Sequence, residues 1–323
     1  MTIEVRKPGL ATSVQDTGRT GYYHLGIPPS GAMDRYSLRC ANRLVGNAED
    51  LAGLEITFLG PELVFHRAAV VAVTGARLAP RLNGQPMPLD ESFEVPAGGV
   101  LSFDFLKAGA RAYLAVAGGI DVPVLLGSRS TYGLGALGGY QGRKLAVGDM
   151  LPMTTPGASA RAGRKLPAEL VTQTSKEIEL RVVPGLYDHW LTPESLAGFF
   201  EDTWIVASEA DRIGYRFKNG RPLKFRDRPR PFGAGSDPSN IVDACYPIGS
   251  IQVPGGLEPI VLHCDAVSGG GYAMLGTVIN ADLDLIAQLQ PNHKARFVTV
   301  SLDQALAARK AYGARLAHLR QAL

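Results

Sequence analysis

The sequence predicts a mainly β protein built as a pair of strand-rich domains. Glycine (38) and proline (22) make up almost a fifth of the 323 residues, which favours many strands joined by tight turns over a helical bundle. The apolar runs are short and rich in β-branched residues. A polar, small-residue stretch near the middle divides the chain.

The first predicted domain covers residues 1–153. Leu63–His66, Val70–Thr74, Val100–Leu106 and Arg111–Ala117 read as strands from their β-branched or alternating patterns. A helix is expected over about Asp34–Val45: Asp34 suits the N-cap, Leu38, Ala41, Leu44 and Val45 share a face, and Gly46 is the stop. Residues 154–177 are poor in large apolar side chains and read as a linker. The second domain, 178–323, restarts with a strand at Ile178–Val183. Thr192 and Pro193 then open a short helix carrying Leu196, Phe199 and Phe200. Further strands are expected at Trp204–Ala207, Ile251–Val253, Pro259–Cys264, Ala273–Ile279 and Ala295–Val300. A last helix starts near Leu302 behind a Ser301/Gln304 capping box, and Gly313 is a position where it can bend.

A net charge of +3 gives no electrostatic case for nucleic-acid binding. The basic run from Lys218 to Arg230 is punctuated by Pro222 and Pro229, with Pro231 just beyond it, and reads as an extended loop, either a solvated one or an anion-binding flap. Cys40, Cys245 and Cys264 form no CxxC, so neither a disulfide framework nor a zinc site is indicated, and Cys264 suits a small buried position. The six histidines have no metal-like spacing. No apolar run reaches the ~20 residues of a membrane span, and the N-terminus lacks a signal-peptide core, so a cytoplasmic protein without membrane or nucleic-acid partners is the expectation.

Residues 9–47 are the most informative stretch. Gln15, Asp16, Arg19, Ser30, Asp34 and Asn42 lie among Gly9, Gly18, Gly21, Gly26, Pro28, Pro29, Gly31 and Gly46. Such a segment either makes tight turns between strands or holds polar side chains and bare N–H groups towards an anion or amide. Gly133–Gly138 is a literal GxGxxG, but glycines on both sides prevent the strand–turn–helix that a dinucleotide site needs. Its place between Arg129 and Arg143 leaves it as a flexible loop or an anion cradle. Asp265 ends an apolar run before Ser268–Tyr272, where it can serve as a general base, position an amide, or cap the glycine turn. Asp211, Arg212 and Arg216 bracket Gly214, and Gln252 precedes Pro254; for the charged group a surface ion pair is the simple account.

Three motifs are similar to the opening signature of the KipA/allophanate hydrolase subunit 2 family. They are Gln15-Asp16-Thr17-Gly18-Arg19-Thr20-Gly21, Gly26 to Asp34, and Ala41 to Asn47. The likeness continues through Leu54-Glu55, Ala117-Gly118-Gly119, Gly127–Thr131, Gly142-Arg143, Asp211–Arg216, Gly249–Pro254 and Gly270-Gly271-Tyr272. That family includes the C-type subunit of 5-oxoprolinase and the matching part of the carboxyltransferase domain of urea carboxylase. The resemblance implies two cyclophilin-like β-barrel domains. It also implies that Arg212, Arg216 and Gln252 line a cleft. Val267, Ser268 and Gly269 stand where the family has a glutamine and two threonines before Gly270-Gly271-Tyr272.

The implied activity is that of a subunit of an ATP-dependent 5-oxoprolinase-like amidohydrolase, acting with a KipI-like B-type and a LamB/YcsF-like A-type partner on a lactam or urea-like substrate. Under that reading the candidate catalytic carboxylates are Asp16, Asp34 and Asp265. Candidate substrate or anion ligands are Gln15, Arg19, Ser30, Asn42, Arg129, Arg143, Arg212, Arg216, Gln252 and Tyr272, with no metal and ATP supplied in the assembled complex. Arg19, between Gly18 and Thr20-Gly21, is expected on an exposed loop. The alternatives are a biotin-dependent carboxyltransferase component, with biotin arriving on another chain because no Met-Lys-Met segment is present, and a non-catalytic regulatory binding protein.

Overall fold

The computed structural model describes residues 2–229 and 231–323. The chain divides into two compact units, Met1–Thr20 with Ser30–Thr174 and Ala314–Leu323, and Gly21–Pro29 with Ser175–Gly313.

The first unit contains β1 (Thr2–Lys7), β2 (Ala11–Gln15), α1 (Arg35–Leu44), β3 (Gly53–Thr57), β4 (Glu62–Phe65), β5 (Ala69–Gly75), β6 (Pro80–Leu82), β7 (Gln85–Pro86), β8 (Ser92–Val95), β9 (Val100–Phe103), β10 (Arg111–Val116) and β11 (Met150–Pro152). Among the described residues the strands form two open sheets, ordered β11-β1-β4-β9-β6-β7 and β2-β3-β10-β5-β8. One apolar core joins them: Ile3, Val5, Leu63 and Leu101 come from the first sheet, and Val14, Leu54, Ile56, Val73 and Leu114 from the second. The barrel expected for this half is therefore replaced by two open sheets. The reason is visible at β10, which is buried along its whole length. Helix α1 packs on β5 and β10, and the second sheet also shares the core with the first, so burial of both faces is achieved by layering without closure.

Helix α1 begins where the sequence places it. The Ser37 backbone N–H and hydroxyl donate to the Asp34 carboxylate at 2.8 and 2.6 Å, and Gly46 follows the helix at φ +79°. The polar stretch after β11 carries two buried leucines, Leu166 and Leu170.

The second unit contains β12 (Glu177–Pro184), α2 (Pro193–Glu201), β13 (Trp204–Val206), β14 (Gly214–Lys218), β15 (Asn240–Cys245), β16 (Ser250–Gln252), β17 (Ile260–Leu262), β18 (Gly269–Tyr272), β19 (Met274–Val278), α3 (Leu283–Ile286) and β20 (Lys294–Thr299). Here a closed barrel does form, in the order β12-β19-β16-β17-β14-β13-β20. It closes through a parallel β12–β20 pair that runs from Glu177 opposite Lys294 to Val182 opposite Thr299. Phe199 of α2, capped by Thr192 as expected, stacks on Phe297 at 4.7 Å and lies 5.5 Å from Trp204. Strands β15 and β18 form a separate two-stranded sheet. Helix α4 (Leu302–Ala322) is continuous through Gly313 and opens with the Ser301/Gln304 capping box. Among the described residues no helix is long and apolar enough to cross a membrane.

Candidate functional site

In the first unit the end of β2 delivers Gln15 and Asp16 into a turn of unusual polar density. The Asp16 carboxylate accepts from the Gly18 N–H at 2.8 Å, the Ser128 hydroxyl at 2.7 Å, the Arg129 N–H at 2.5 Å and the Ser130 hydroxyl. Four donors on one buried carboxylate clamp segment 128–130 against the turn after β2. Arg19 completes the clamp by donating from Nη2 to the Ser130 carbonyl at 2.5 Å. Arg19 is 1% exposed, so the exposed loop position expected for it is corrected. The local reason is Gly138, at φ +67°: a Cβ there would lie 2.6 Å from Arg19 Nη2, so the glycine makes the room that the guanidinium fills.

The neighbouring strand of the loop, residues 30–34, runs directly alongside. The Ala32 N–H donates to the Asp16 carbonyl at 2.9 Å. A Cβ on Gly31, at φ +84°, would come within 2.6 Å of the Gly18 nitrogen. From behind, Glu55 of β3 holds this segment. Its Oε2 accepts from the Met33 N–H and the Tyr113 hydroxyl, both at 2.8 Å, and the same hydroxyl accepts from the Asp34 N–H at 2.8 Å. Arg111 lies 3.8 Å from Glu55, with both side chains buried. Burial, and then the charges of Glu55 and Asp34, push the Tyr113 hydroxyl far up, so it stays a neutral donor. Two buried polar atoms in this region, Gln15 Oε1 and Ser30 Oγ, have no hydrogen-bond partner among the described residues. Ser30 sits at φ +52° and is fully buried.

Other predicted residues of this unit have structural partners. Asn42 donates to the Leu51 and Glu49 carbonyls at 2.8 and 3.3 Å and accepts from Asn47 at 3.0 Å. Arg129 donates to the Val122 carbonyl, lies 3.5 Å from Asp121, and borders a pocket of about 350 Å³ with Asn47, Gly118 and Thr155. Arg143 grips Asp149 with two bonds of 2.7 and 2.8 Å. The GxGxxG segment is a turn with Ala136, Gly138 and Gly139 at positive φ, and no helix follows it.

In the second unit Asp265 is held by a two-pronged Arg212 fork at 2.8 and 3.1 Å. Arg216 and Gln252 both sit opposite Ile260 in the barrel register, and Met274 sits opposite Gln252, so these residues form one row on one barrel face. Ile260 and Met274 belong to an apolar cluster with Ile241 and Tyr246 from the β15–β18 region. The Tyr246 hydroxyl accepts from the Tyr272 N–H at 3.0 Å and lies 2.7 Å from the Gly270 carbonyl. Burial raises its pKa, opposed by the Tyr272 backbone and the Gln252 side chain. Tyr272 itself is 42% exposed. The Arg216 carbonyl accepts from the Ala207 N–H at 2.9 Å, while its guanidinium makes no hydrogen bond or ion pair among the described residues. Much of the basic loop is tied down: Arg221 pairs with Asp202 and Glu201, Arg226 donates to the Leu191 carbonyl, and Arg228 lies 3.3 Å from the Trp190 ring centroid. Arg230 lies outside the described residues.

Gln15, Asp16, Arg19 and the Arg129 backbone are thus brought together, as are Gln252 and Tyr272 around Tyr246, with Arg216 in the same row as Gln252. Sequence reasoning did not single out Ser128, Ser130, Glu55, Tyr113 or Tyr246 as site residues, although Glu55, Ser128 and Ser130 lie in motifs that carry the family likeness. A usable signal existed for Glu55, a carboxylate set between Leu54 and Ile56 in an apolar strand. Among the described residues no three His, Cys, Asp or Glu side chains gather as they would around a metal ion.

Comparison with known proteins sharpens the reading. Residues 25–299 match the family described as carboxyltransferase domain, subdomain A and B. The urea amidolyase of Saccharomyces cerevisiae is 39% identical over 309 residues, covering 93% of this chain and 17% of the yeast protein. The C-type subunit of the Escherichia coli 5-oxoprolinase is 36% identical over 308 residues, covering 95% of this chain and 94% of the bacterial one. The crystal structure of the K. lactis urea amidolyase superposes with a TM-score of 0.92 at 38% identity, covering 98% of this chain and 20% of that one. The chain therefore belongs to the carboxyltransferase domain subdomain A and B family, as a homologue of the C-type subunit of 5-oxoprolinase and of the corresponding region of urea amidolyase.

Proposed function

We propose that the chain is the C-type component of an ATP-dependent 5-oxoprolinase-like amidohydrolase, converting 5-oxoproline, ATP and water to glutamate, ADP and phosphate together with A-type and B-type partners. The observation that carries this reading is the match to the C-type 5-oxoprolinase subunit along nearly the full length of both chains. A lactam carbonyl is a poor electrophile, and phosphorylating its oxygen creates a leaving group. Such chemistry needs hydrogen-bonding groups for the amide, cationic groups for the phosphoryl oxygens and a carboxylate to orient water.

In the loop region of the first unit Gln15 Oε1 and Ser30 Oγ are buried atoms whose bonding capacity is unspent, and they suit an amide. Asp16, Asp34 and Asn42 serve this unit as the frame that sets those atoms, since their bonds go to the loop and helix around them. In the second unit Arg216, whose guanidinium forms no close ion pair among the described residues although Glu209 feels its charge, supplies a cation in the same row as Gln252. Asp265, oriented by Arg212, supplies the carboxylate.

The likeness to the urea amidolyases supports a second reading, a carboxyltransferase component acting on a urea-like nitrogen with biotin carried on another chain. Co-purification with A-type and B-type partners, followed by ATP turnover with 5-oxoproline, separates the two. The first reading expects a stable complex, burying on the order of 1,600 Å², that hydrolyses ATP only with the lactam present, and little turnover by this chain alone. Carboxyl transfer from a biotin carrier without lactam-dependent turnover replaces it by the second. A stable complex with neither activity points to a regulatory binding protein.

A further inference from the structure

Away from the Asp16 cluster the first unit presents three cations in one pocket. Segment 161–166 is strapped to the edge strand β8 and its approach. The Gly163 N–H donates to the Ser92 carbonyl and the Ser92 N–H to the Arg164 carbonyl, both at 2.8 Å. The Arg164 N–H donates to the Ser92 hydroxyl at 3.0 Å, and the Leu166 N–H to the Asp90 carbonyl at 2.8 Å. Leu166 anchors the strap by burying its side chain. The pocket it borders measures about 330 Å³ and is lined by Arg161, Arg164, Lys165, Ala322 at the end of α4 and Leu323 just after it.

Neither Arg161 nor Arg164 nor Lys165 forms an ion pair with a carboxylate among the described residues, that of Leu323 included. Arg164 donates from Nη1 to the Arg43 carbonyl at 3.2 Å, while its buried Nε has no hydrogen-bond partner among the described residues. Glu49, beside this end of α4, is already gripped by Arg320 at 2.6 Å and Arg39 at 3.0 Å. Burial first, and then the charges of Arg161 and Arg43, lower the Arg164 pKa.

From the strapped segment, its unpaired cations and the open pocket they border, we infer that this is a binding site for a compact, multiply charged phosphate such as pyrophosphate. Arg161, Arg164 and Lys165 border one pocket, Arg161 and Arg164 repel one another, and guanidinium forks match phosphate oxygens. A volume of about 330 Å³ suits a diphosphate better than a whole nucleotide. The site is separate in residues from the cluster assigned to amide chemistry, so its test does not depend on that assignment.

Titration calorimetry of the full chain with inorganic pyrophosphate, at matched ionic strength, tests this inference. One-to-one binding is expected, weakened at least tenfold in R161Q/K165Q, whose substituted side chains are exposed, with folding checked by circular dichroism. The control R309Q/K310Q removes the same charge from the exposed face of α4 and should shift affinity less than twofold. Absence of pyrophosphate binding overturns the inference, as does equal weakening in the control, which would reduce the effect to net charge. ADP is expected to bind no more tightly than pyrophosphate, and a tenfold preference for ADP overturns the assignment to phosphate alone.

Discussion

The two units use polar residues in opposite ways. In the first, Asp16, Asp34, Asn42 and Glu55 spend their hydrogen bonds on backbone groups and hydroxyls of the surrounding loops. Their geometry is rigid, and the unspent capacity is confined to single atoms such as Gln15 Oε1 and Ser30 Oγ. In the second, a closed barrel already satisfies the backbone, and Arg216 and Gln252 sit in a row on its face, with Gln252 next to Tyr246. The difference teaches that an irregular, glycine-rich loop needs charged side chains simply to exist, whereas a barrel can carry them for other purposes.

The sharpest way to break this contrast is to remove Glu55. Glu55→Ala leaves the Met33 N–H and the Tyr113 hydroxyl without this acceptor and removes the carboxylate beside the buried Arg111, and should cost about 3–5 kcal/mol. Urea unfolding reads the loss, and an unchanged midpoint would show that the loop segment 30–34 holds itself. Next in size is Gly138→Ala, which adds about 1–2 kcal/mol of left-handed strain and displaces the Arg19 guanidinium. Arg19→Ala should itself lower stability, because the group is buried and bonded, by about 1.5–3 kcal/mol. The double variant should fall short of the sum, since both act on one contact. Full additivity in melting experiments would separate the two residues.

A smaller effect is expected from the Arg143–Asp149 pair. The Arg143 hydrogen bonds hold the Asp149 carboxyl below the usual carboxylate range. Its stabilisation is therefore present above the unfolded pKa and disappears as pH falls through the lower folded value. Asp149→Asn should flatten that part of the stability–pH curve by about 0.5–1 kcal/mol, reduced because Arg143 is partly exposed. A curve identical to that of the unchanged protein refutes the coupling. Smallest in stability is Arg216→Gln, expected within about 0.5 kcal/mol. Its measurable effect should be on lactam-dependent turnover of the assembled complex, and unchanged turnover would remove Arg216 from the proposed site.

Much of the secondary structure was legible in the chain. The α1 start at Asp34, the Thr192–Pro193 entry to α2 and the Ser301/Gln304 box are local signals, each set by side chains within four residues of the helix end, and all appear as read. The strand runs lie within a few residues of their expected bounds for the same reason. The site was only half legible. The glycine-rich loop marked Gln15, Asp16 and Arg19, but their partners Ser128 and Ser130 are more than 110 positions away, with separations of 112 for Asp16–Ser128 and 111 for Arg19–Ser130.

By itself, then, the sequence determined the elements, their caps and the polar loops, because these depend on neighbours along the chain. Tertiary structure alone decided that the first unit stays open while the second closes, because alternation along a strand is the same whether its faces are covered by a second sheet, a helix or the far side of a barrel. It also decided that Arg19 is buried. That outcome rests on the volume left by Gly138 and on the Ser130 carbonyl reached across the fold, and no local pattern around Arg19 records either.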